Sequence, residues 1–301
     1  MVCLRTFRKE LLKLHAPAIQ NLSRACGGGT TGRKQLILDN LYNLCQARMR
    51  GMDRDYRLIS IDLGLKNIGV CQILVPAFIS DTNHDLKNEK RRPVVEKWFR
   101  TALGHSTETD TIELTSFTYP GFSDATIAVL RDILKLEEGP VDAIIVERQR
   151  SRSAGSANIP NNILRLNVVE GMVNAGLRLM KPEAYLESII PQYVVRFWQS
   201  DAEKERLTKK RNAQQNYALA KKARRSLVEQ WLKNPQEVFN TRAVQTGVLE
   251  IKPGKKDDKN DALVQAISWM KWRDNSIQLI KNVEAGYAPA YGLVLPCDRL
   301  E

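Results

Sequence analysis

Apolar residues along the middle of the chain follow the pattern of alternating strands and helices. Short apolar runs predict strands, and longer stretches with apolar residues every three or four positions predict helices. The predicted strands are 58–64, 68–74, 94–103, 141–147 and 184–190. The predicted helices are 122–136, 163–180, a basic region from about 203 to 232, and 260–272. Two strands joined by a tight turn and followed by alternating helices and strands predict an α/β domain with a mixed sheet flanked by helices.

The first 48 residues follow a different pattern, which predicts a small helical module. Two apolar stripes flank a glycine-rich turn, 27–32; they run through Leu4, Phe7, Leu11, Leu12 and Leu14 and through Leu36, Ile37, Leu41 and Leu44. The turn has the glycine spacing of a phosphate-binding P-loop, but Arg33-Lys34-Gln35 stands where that loop needs Lys-Ser/Thr, and no strand precedes it. We therefore reject a P-loop.

The Gly-Arg-Lys start of the second stripe resembles that of a SAP-like helix–turn–helix module. This resemblance implies that Arg33 and Lys34 contact DNA, because phosphates also meet free backbone N–H groups at a helix N-terminus. A helical hairpin for protein contacts fits the pattern equally well. We divide the chain into this module, 1–50, and a second domain, 55–301, joined by a polar linker.

The composition favours a polyanionic partner. The 301-residue chain has a net charge of +12, which suits nucleic acid better than a membrane surface, since no isolated basic amphipathic helix stands out. Five scattered cysteines without a Cys-x-x-Cys pair argue against a disulfide framework and a zinc site. His15, His84 and His105 lie far apart, which argues against histidine-centred catalysis. No apolar stretch is long enough to span a bilayer.

The basic N-terminus has two interpretations. Residues 1–24 carry five basic residues and one acidic residue, a composition found in mitochondrial transit peptides. An ordinary basic helix of the folded protein has the same composition, and from composition alone we favour it.

Four carboxylates stand where burial makes a carboxylate costly. Asp62 lies inside an apolar strand, Glu147 ends another, and Asp258 and Asp261 begin the last helix three residues apart on one face. A buried carboxylate without a partner is penalised by several kcal/mol, so a cation should face each one. A divalent metal is the economical choice, because hard cations take oxygen ligands. Asp257, four residues before Asp261, is a rival to Asp258.

Each carboxylate also has a structural interpretation. Asp257 and Asp258 suit a helix cap. Asp62 suits the turn before Gly64, and Glu147 suits an ion pair with Arg148 or another arginine. The four together are harder to explain in this way.

The chemistry that joins the carboxylates to the positive charge is phosphodiester hydrolysis. Two Mg²⁺ ions held by carboxylates supply an activated water and stabilise the leaving oxygen, and nearby cations stabilise the developing charge. The candidate DNA-contacting cations beside the carboxylates are Lys66, Arg148, Arg150, Arg152, Lys255 and Lys256. The basic segment 204–225 is either a phosphate-contacting surface or a solvated helix face.

Three segments carry a family resemblance. Residues 61–69 (Ile-Asp-Leu-Gly-Leu-Lys-Asn-Ile-Gly) resemble the first strand and turn of RNase H-like resolvases, and 146–152 (Val-Glu-Arg-Gln-Arg-Ser-Arg) resemble their second acidic strand. Residues 258–263 (Asp-Lys-Asn-Asp-Ala-Leu) resemble their paired-aspartate helix. The chain is thus similar to the fungal mitochondrial Holliday-junction resolvases, cruciform-cutting endonucleases related to bacterial RuvC, which also carry a SAP-like N-terminal module.

The resemblance implies a catalytic RNase H-like domain over 55–301. It further implies a homodimer that resolves four-way junctions by paired symmetric nicks, with Mg²⁺ or Mn²⁺, two ions per site, held by Asp62, Glu147, Asp258 and Asp261. It also implies a mitochondrial location. The alternative is a non-catalytic protein that binds branched nucleic acid on the same fold. An actin-like ATPase shares the pattern of 61–69, but nothing after residue 190 resembles its further nucleotide-binding loops.

Overall fold

The computed structural model describes residues 3–65, 67–78, 92–103, 118–135, 139–149, 161–198, 213–234, 238–241 and 257–293. At 213–221, 241 and 257–258 the description covers the backbone only. The described helices are α1 (Leu4–Leu11), α2 (Ala16–Ala25), α3 (Lys34–Arg48), α4 (Tyr119–Lys135), α5 (Asn161–Met180), α6 (Pro191–Trp198), α7 (Ala213–Lys233) and α8 (Asp257–Ala285). The strands are β1 (Tyr56–Asp62), β2 (Ile68–Val75), β3 (Val94–Thr101), β4 (Ala143–Glu147), β5 (Tyr185–Ile189) and β6 (Asn240–Thr241).

The strands form one mixed sheet in the order β5-β4-β1-β2-β3-β6. β1, β2 and β3 pair antiparallel in sequence, as a hairpin-connected meander. β4 lies parallel to β1, and β5 lies parallel to β4. The predicted α/β fold with a mixed sheet flanked by helices is confirmed.

Each face of the sheet packs against its own helices. Leu58 and Ile145 face the side covered by α8, whereas Ile59 and Val146 face the side covered by α4 and α5. The alternation follows from the period of two in a strand, and both faces are apolar because both are covered.

Helix α8 crosses the sheet face and is buried on almost all sides. The predicted core stripe of this helix, Leu263, Ala266, Ile267 and Met270, is fully buried. The helix extends to Ala285, well beyond the predicted end at Trp272. The sequence pattern hides this extension because Arg273 and Asn275 are polar yet buried: Arg273 donates to the backbone oxygens of Arg48, Arg50 and Gly51, and Asn275 donates to that of Ala25.

The N-terminal module has three helices, one more than the two stripes predicted. Phe7, Leu11, Ile37 and Leu41 are buried as expected. Leu12 and Leu36 were placed on the wrong side: they are 43% and 53% exposed. Helix α2, which the stripes did not predict, begins beside Pro17 in its first turn, a position where proline is tolerated.

This module shares a core with the last part of α8. Leu279, Ile280 and Val283 of α8 pack with buried residues of α1, α2 and α3. The boundary at 50–55 therefore separates two stretches of sequence whose side chains remain packed together. Neither a SAP-like fold nor the domain division is tested by this packing, and both stay predictions.

Other differences are local. Helix α6 and the two-residue strand β6 were not predicted, and the predicted helix from about 203 is described only from Ala213. No helix in the described parts of the chain has the length and apolar character needed to cross a membrane.

Candidate metal and DNA-cleavage site

Asp62 and Glu147 lie side by side at the carboxyl ends of neighbouring parallel strands. Ile61 pairs with Val146, so the next residue of each strand is a carboxylate. Alternation places both on the face of Leu58 and Ile145, the side covered by α8. Adjacent strands lie about 4.8 Å apart, so these two carboxylates are close neighbours. Asp62 is 8% exposed, and Glu147 is partly buried.

The first turns of α8 bring Asp261 to the same face. The indole Nε1 of Trp98, on β3, donates to the backbone oxygen of Lys259 over 2.6 Å. The Lys259 ammonium also lies 4.7 Å from the centre of the Trp98 ring, within the range of a cation–π contact. These contacts fix the start of α8 over the sheet.

A guanidinium from α7 meets these carboxylates. Arg224 Nε donates to Asp261 Oδ1 over 2.7 Å, and its terminal nitrogen donates to Oδ2 over 3.1 Å. This is a bidentate ion pair, the geometry for which arginine is suited. The pair is well covered, with side-chain exposures of 17% for Arg224 and 21% for Asp261.

All three described carboxylates act on this arginine. Burial by itself lowers the pKa of Arg224, but the hydrogen bonds and charge of Asp261, followed by the charges of Glu147 and Asp62, raise that pKa overall. The guanidinium therefore contacts Asp261 and lies near enough to Glu147 and Asp62 for their charges to act on it. The cation that faces Asp261 in this structure is a side chain of the same protein, and the expectation of a cation facing Asp62 and Glu147 stays a prediction.

Gln149 and Glu170 support the segments that follow β1 and β4. The backbone N–H of Gln149 donates to Glu170 Oε2 over 2.9 Å. The Gln149 side chain donates to the backbone oxygen of Leu63 over 3.2 Å. This links the segment after β4 to the segment after β1, and so ties Glu147 to Asp62. Neither residue was predicted from the sequence, although Gln149 is recognisable as the neutral member of the Glu-Arg-Gln-Arg run.

The donor chemistry fits a hard divalent cation, because every candidate ligand is a carboxylate oxygen. Among the described residues, no three acidic, histidine or cysteine side chains are grouped closely enough to hold a metal ion. The fourth predicted carboxylate, Asp258, and its rival Asp257 both lie in the first turn of α8, but their side chains are outside the described part. The choice between them stays open.

The predicted DNA-contacting residues fall into two groups. Arg148 directly follows Glu147 and is exposed at the carboxylate end of the sheet. Arg33 is exposed just before α3, whereas Lys34 is partly buried and its ammonium donates to the backbone oxygen of Leu12 over 2.6 Å. Both belong to the module that packs against the opposite end of α8 from Asp261. Lys66, Arg150, Arg152, Lys255 and Lys256 lie outside the described residues.

The residues that form this site lie largely within a stretch that matches a known protein family. Residues 58–251, more than half of the chain, match the family described as "Mitochondrial resolvase Ydc2 / RNA splicing MRS1". The chain belongs to this family. The matched stretch of this resolvase-family chain contains Asp62, Glu147 and Arg224 and ends before Asp258 and Asp261.

Relatives of this family member cover almost its whole length. It is 24% identical over 268 residues to the mitochondrial cruciform cutting endonuclease 1 of Schizosaccharomyces pombe, an alignment covering 85% of this chain and 91% of that protein. Its fold is similar to the yeast mitochondrial Holliday junction resolvase Ydc2, with a TM-score of 0.58, 20% identity, and coverage of 90% of this chain and 99% of that one. Thermus thermophilus RuvC in complex with a Holliday junction matches with a TM-score of 0.33 at 12% identity, covering 71% of this chain and 91% of the RuvC chain.

Proposed function

We propose that this protein is a Mg²⁺- or Mn²⁺-dependent endonuclease that resolves four-way DNA junctions by paired nicks. The observation that carries the proposal is that Asp62 and Glu147 end adjacent parallel strands near the Arg224–Asp261 ion pair, in a chain of the resolvase family. The S. pombe relative, named as a mitochondrial endonuclease that cuts cruciforms, supports four-way DNA as the substrate and mitochondria as the location. Two symmetric nicks need two active sites, so we propose a homodimer.

In this proposal Asp62, Glu147, Asp261 and Asp258 hold the metal ions. Bound metal ions would supply an activated water and stabilise the departing oxygen. The chain's own residues bind and orient: the two strand ends hold Asp62 and Glu147 in register, and the Trp98 contact holds the start of α8 above them. In the same proposal, the exposed Arg148 beside the site and the more distant Arg33 and Lys34 bind phosphates of the junction.

A second candidate, a non-catalytic protein that binds branched nucleic acid, has two observations in its favour. The family description names RNA splicing beside resolvases, and Arg224 gives Asp261 a partner without any metal. In that case the carboxylates would stabilise the fold instead of cleaving DNA.

Cleavage of a synthetic four-way junction tests both candidates. With Mg²⁺ we expect paired nicks on opposing strands and little cutting of a linear duplex. Asp62→Asn and Asp261→Asn should abolish nicking while junction binding, measured by gel shift without divalent metal, persists. Asp132→Asn, at an exposed carboxylate paired with Lys135, is the matched control and should cut normally.

Three other outcomes would each contradict a different part of the proposed function. Binding by the wild type without cutting under Mg²⁺ or Mn²⁺ would support the non-catalytic protein. Equal cutting of duplex and junction would leave a nuclease but remove the preference for junctions. Normal cutting by both active-site variants would show that the carboxylates were assigned wrongly.

A further inference from the structure

Arg224 is built into the packed face of α7. It stands four residues before Val228 and seven before Trp231, a spacing that places all three on one side of a helix. Val228 is fully buried and Trp231 is 6% exposed, both in the core on the α8 side of the sheet. The neighbouring Lys222, in contrast, is exposed. The helix is therefore anchored in an orientation that directs Arg224 at the carboxylates.

The contact that Arg224 makes uses the atoms a metal would need. Its two donor nitrogens take one oxygen each of Asp261, at 2.7 and 3.1 Å. A metal ion bound by Asp261 needs the same oxygen lone pairs, and a fixed positive charge at this distance also repels a divalent cation. Arginine cannot relieve the conflict by losing its proton, because its guanidinium stays charged in proteins.

We propose that Arg224 is an internal competitor of the metal ion: it occupies Asp261 in the DNA-free protein, so that metal loading requires the guanidinium to leave. This inference rests on the proposed metal site. A phosphate group is the other ligand that a guanidinium binds in bidentate fashion, so junction DNA entering the site is suited to take Arg224 away from Asp261. Metal loading and DNA binding would then support each other.

Titration of the DNA-free protein with Mn²⁺ by calorimetry tests the competition without any cleavage. Arg224→Gln should bind Mn²⁺ about tenfold or more tightly than the wild type, since a charge-assisted bidentate pair no longer has to be displaced. Lys222→Gln removes the same charge from the same helix and should stay within about twofold of the wild type. Arg224→Lys, which keeps the charge but cannot make the bidentate contact, should fall between the two.

Thermal unfolding adds a second readout, the rise in Tm on adding Mn²⁺. Replacing Arg224 should increase this rise if Arg224 competes with the metal, and decrease it if Arg224 has only a structural role. In EDTA, Arg224→Gln should melt below the wild type, because the Asp261 carboxylate has lost its ion pair. The rise in Tm on adding Mn²⁺ should be larger in Arg224→Gln than in the wild type. A residue with only a structural role would, when removed, lower both the metal-free Tm and the Mn²⁺ affinity.

Each result has a defined meaning. Equal Mn²⁺ affinity in the wild type and Arg224→Gln, or weaker binding in the variant, overturns the competition and leaves the nuclease proposal standing. Absence of Mn²⁺ binding in both proteins overturns the metal site itself, and the competition with it.

Discussion

Replacing Arg48 should show how strongly the N-terminal module is tied to the sheet. Arg48 ends α3, and its side chain is fully buried against Glu187 of β5. Nε and a terminal nitrogen of Arg48 donate to the two oxygens of Glu187, and the other terminal nitrogen donates to the backbone oxygen of Cys26. The guanidinium also lies 5.8 and 5.5 Å from the ring centres of Trp269 and Trp272.

Arg48→Met removes this charge and leaves Glu187 with two neutral partners, the Trp269 indole at 2.8 Å and the Tyr185 hydroxyl. Breaking a buried ion pair on one side costs about 3–5 kcal/mol, because a charge then stays buried without its counter-ion. Replacing both partners with apolar residues of similar size is often close to neutral. We therefore expect Arg48→Met to lower the free energy of unfolding by about 3–5 kcal/mol, and Arg48→Met/Glu187→Met to regain most of that loss.

Denaturant unfolding followed by tryptophan fluorescence suits this test, because two tryptophans flank the Arg48 guanidinium. Lys135→Met is the control: its ion pair with Asp132 is exposed on both sides, and surface changes of this kind stay within about 0.5 kcal/mol. A loss below about 1 kcal/mol for Arg48→Met, or a double variant that is less stable than either single variant, would refute the argument.

Three further predictions follow from single contacts. Gly27→Ala should destabilise the protein by more than about 2 kcal/mol in the same unfolding assay, because φ at this residue is +66° and a Cβ would lie 2.2 Å from Trp272. Gly286→Ala is the control: φ there is +73° but the space is open, so it should lower the free energy of unfolding by only about 1 kcal/mol. Equal losses in the two variants would contradict the clash with Trp272. Burial raises the pKa of Tyr56 to about 12, above the value of about 10 in an unfolded chain. Its contribution to stability is thus complete below pH 10 and is lost as the pH rises toward 12. Between pH 9 and pH 11 the free energy of unfolding should therefore fall by about 1 kcal/mol less in Tyr56→Phe than in the wild type. Identical pH profiles of the two proteins would exclude this contribution of Tyr56. Arg33→Gln/Lys34→Gln should weaken junction binding and reduce the slope of log affinity against log salt by about 2. The Tm should fall only slightly, because the one hydrogen bond that these side chains make in the described structure is from Lys34 to the backbone oxygen of Leu12. An unchanged slope would indicate that the module binds something other than DNA phosphates.

The sequence predicted the parts of the structure that depend on local patterns. The strand bearing Asp62 and the strand ending at Glu147 were recognisable from apolar runs alone, and Asp261 from its place before an apolar helical stripe. The proximity of Asp62 and Glu147 comes from the parallel pairing of their two strands, which the sequence pattern did not specify because it predicted only a mixed sheet.

The parts that escaped prediction depend on contacts between distant residues. Arg48 and Glu187 are 139 positions apart, and no local pattern marks a buried arginine. Arg224 belonged to a basic run whose surface role was the natural interpretation, and only the packing of Val228 and Trp231 turns it inward. Leu36 was misplaced because it precedes Ile37 and Leu38, which are buried, and three consecutive apolar residues do not show which side of a helix faces the core.

Helix α8 fixes the distance between Asp261 and the core that this helix shares with the N-terminal module. Asp261 lies near its start, and Ile280, in the core shared with the module, is 19 residues further along. At about 1.5 Å per residue this separation is roughly 29 Å, the length of about 8 or 9 base pairs of duplex DNA at about 3.4 Å each. If the module binds a junction arm as proposed, α8 would set the distance between that arm and the carboxylates. The position of the nick would then depend on the length of this helix as well as on the DNA.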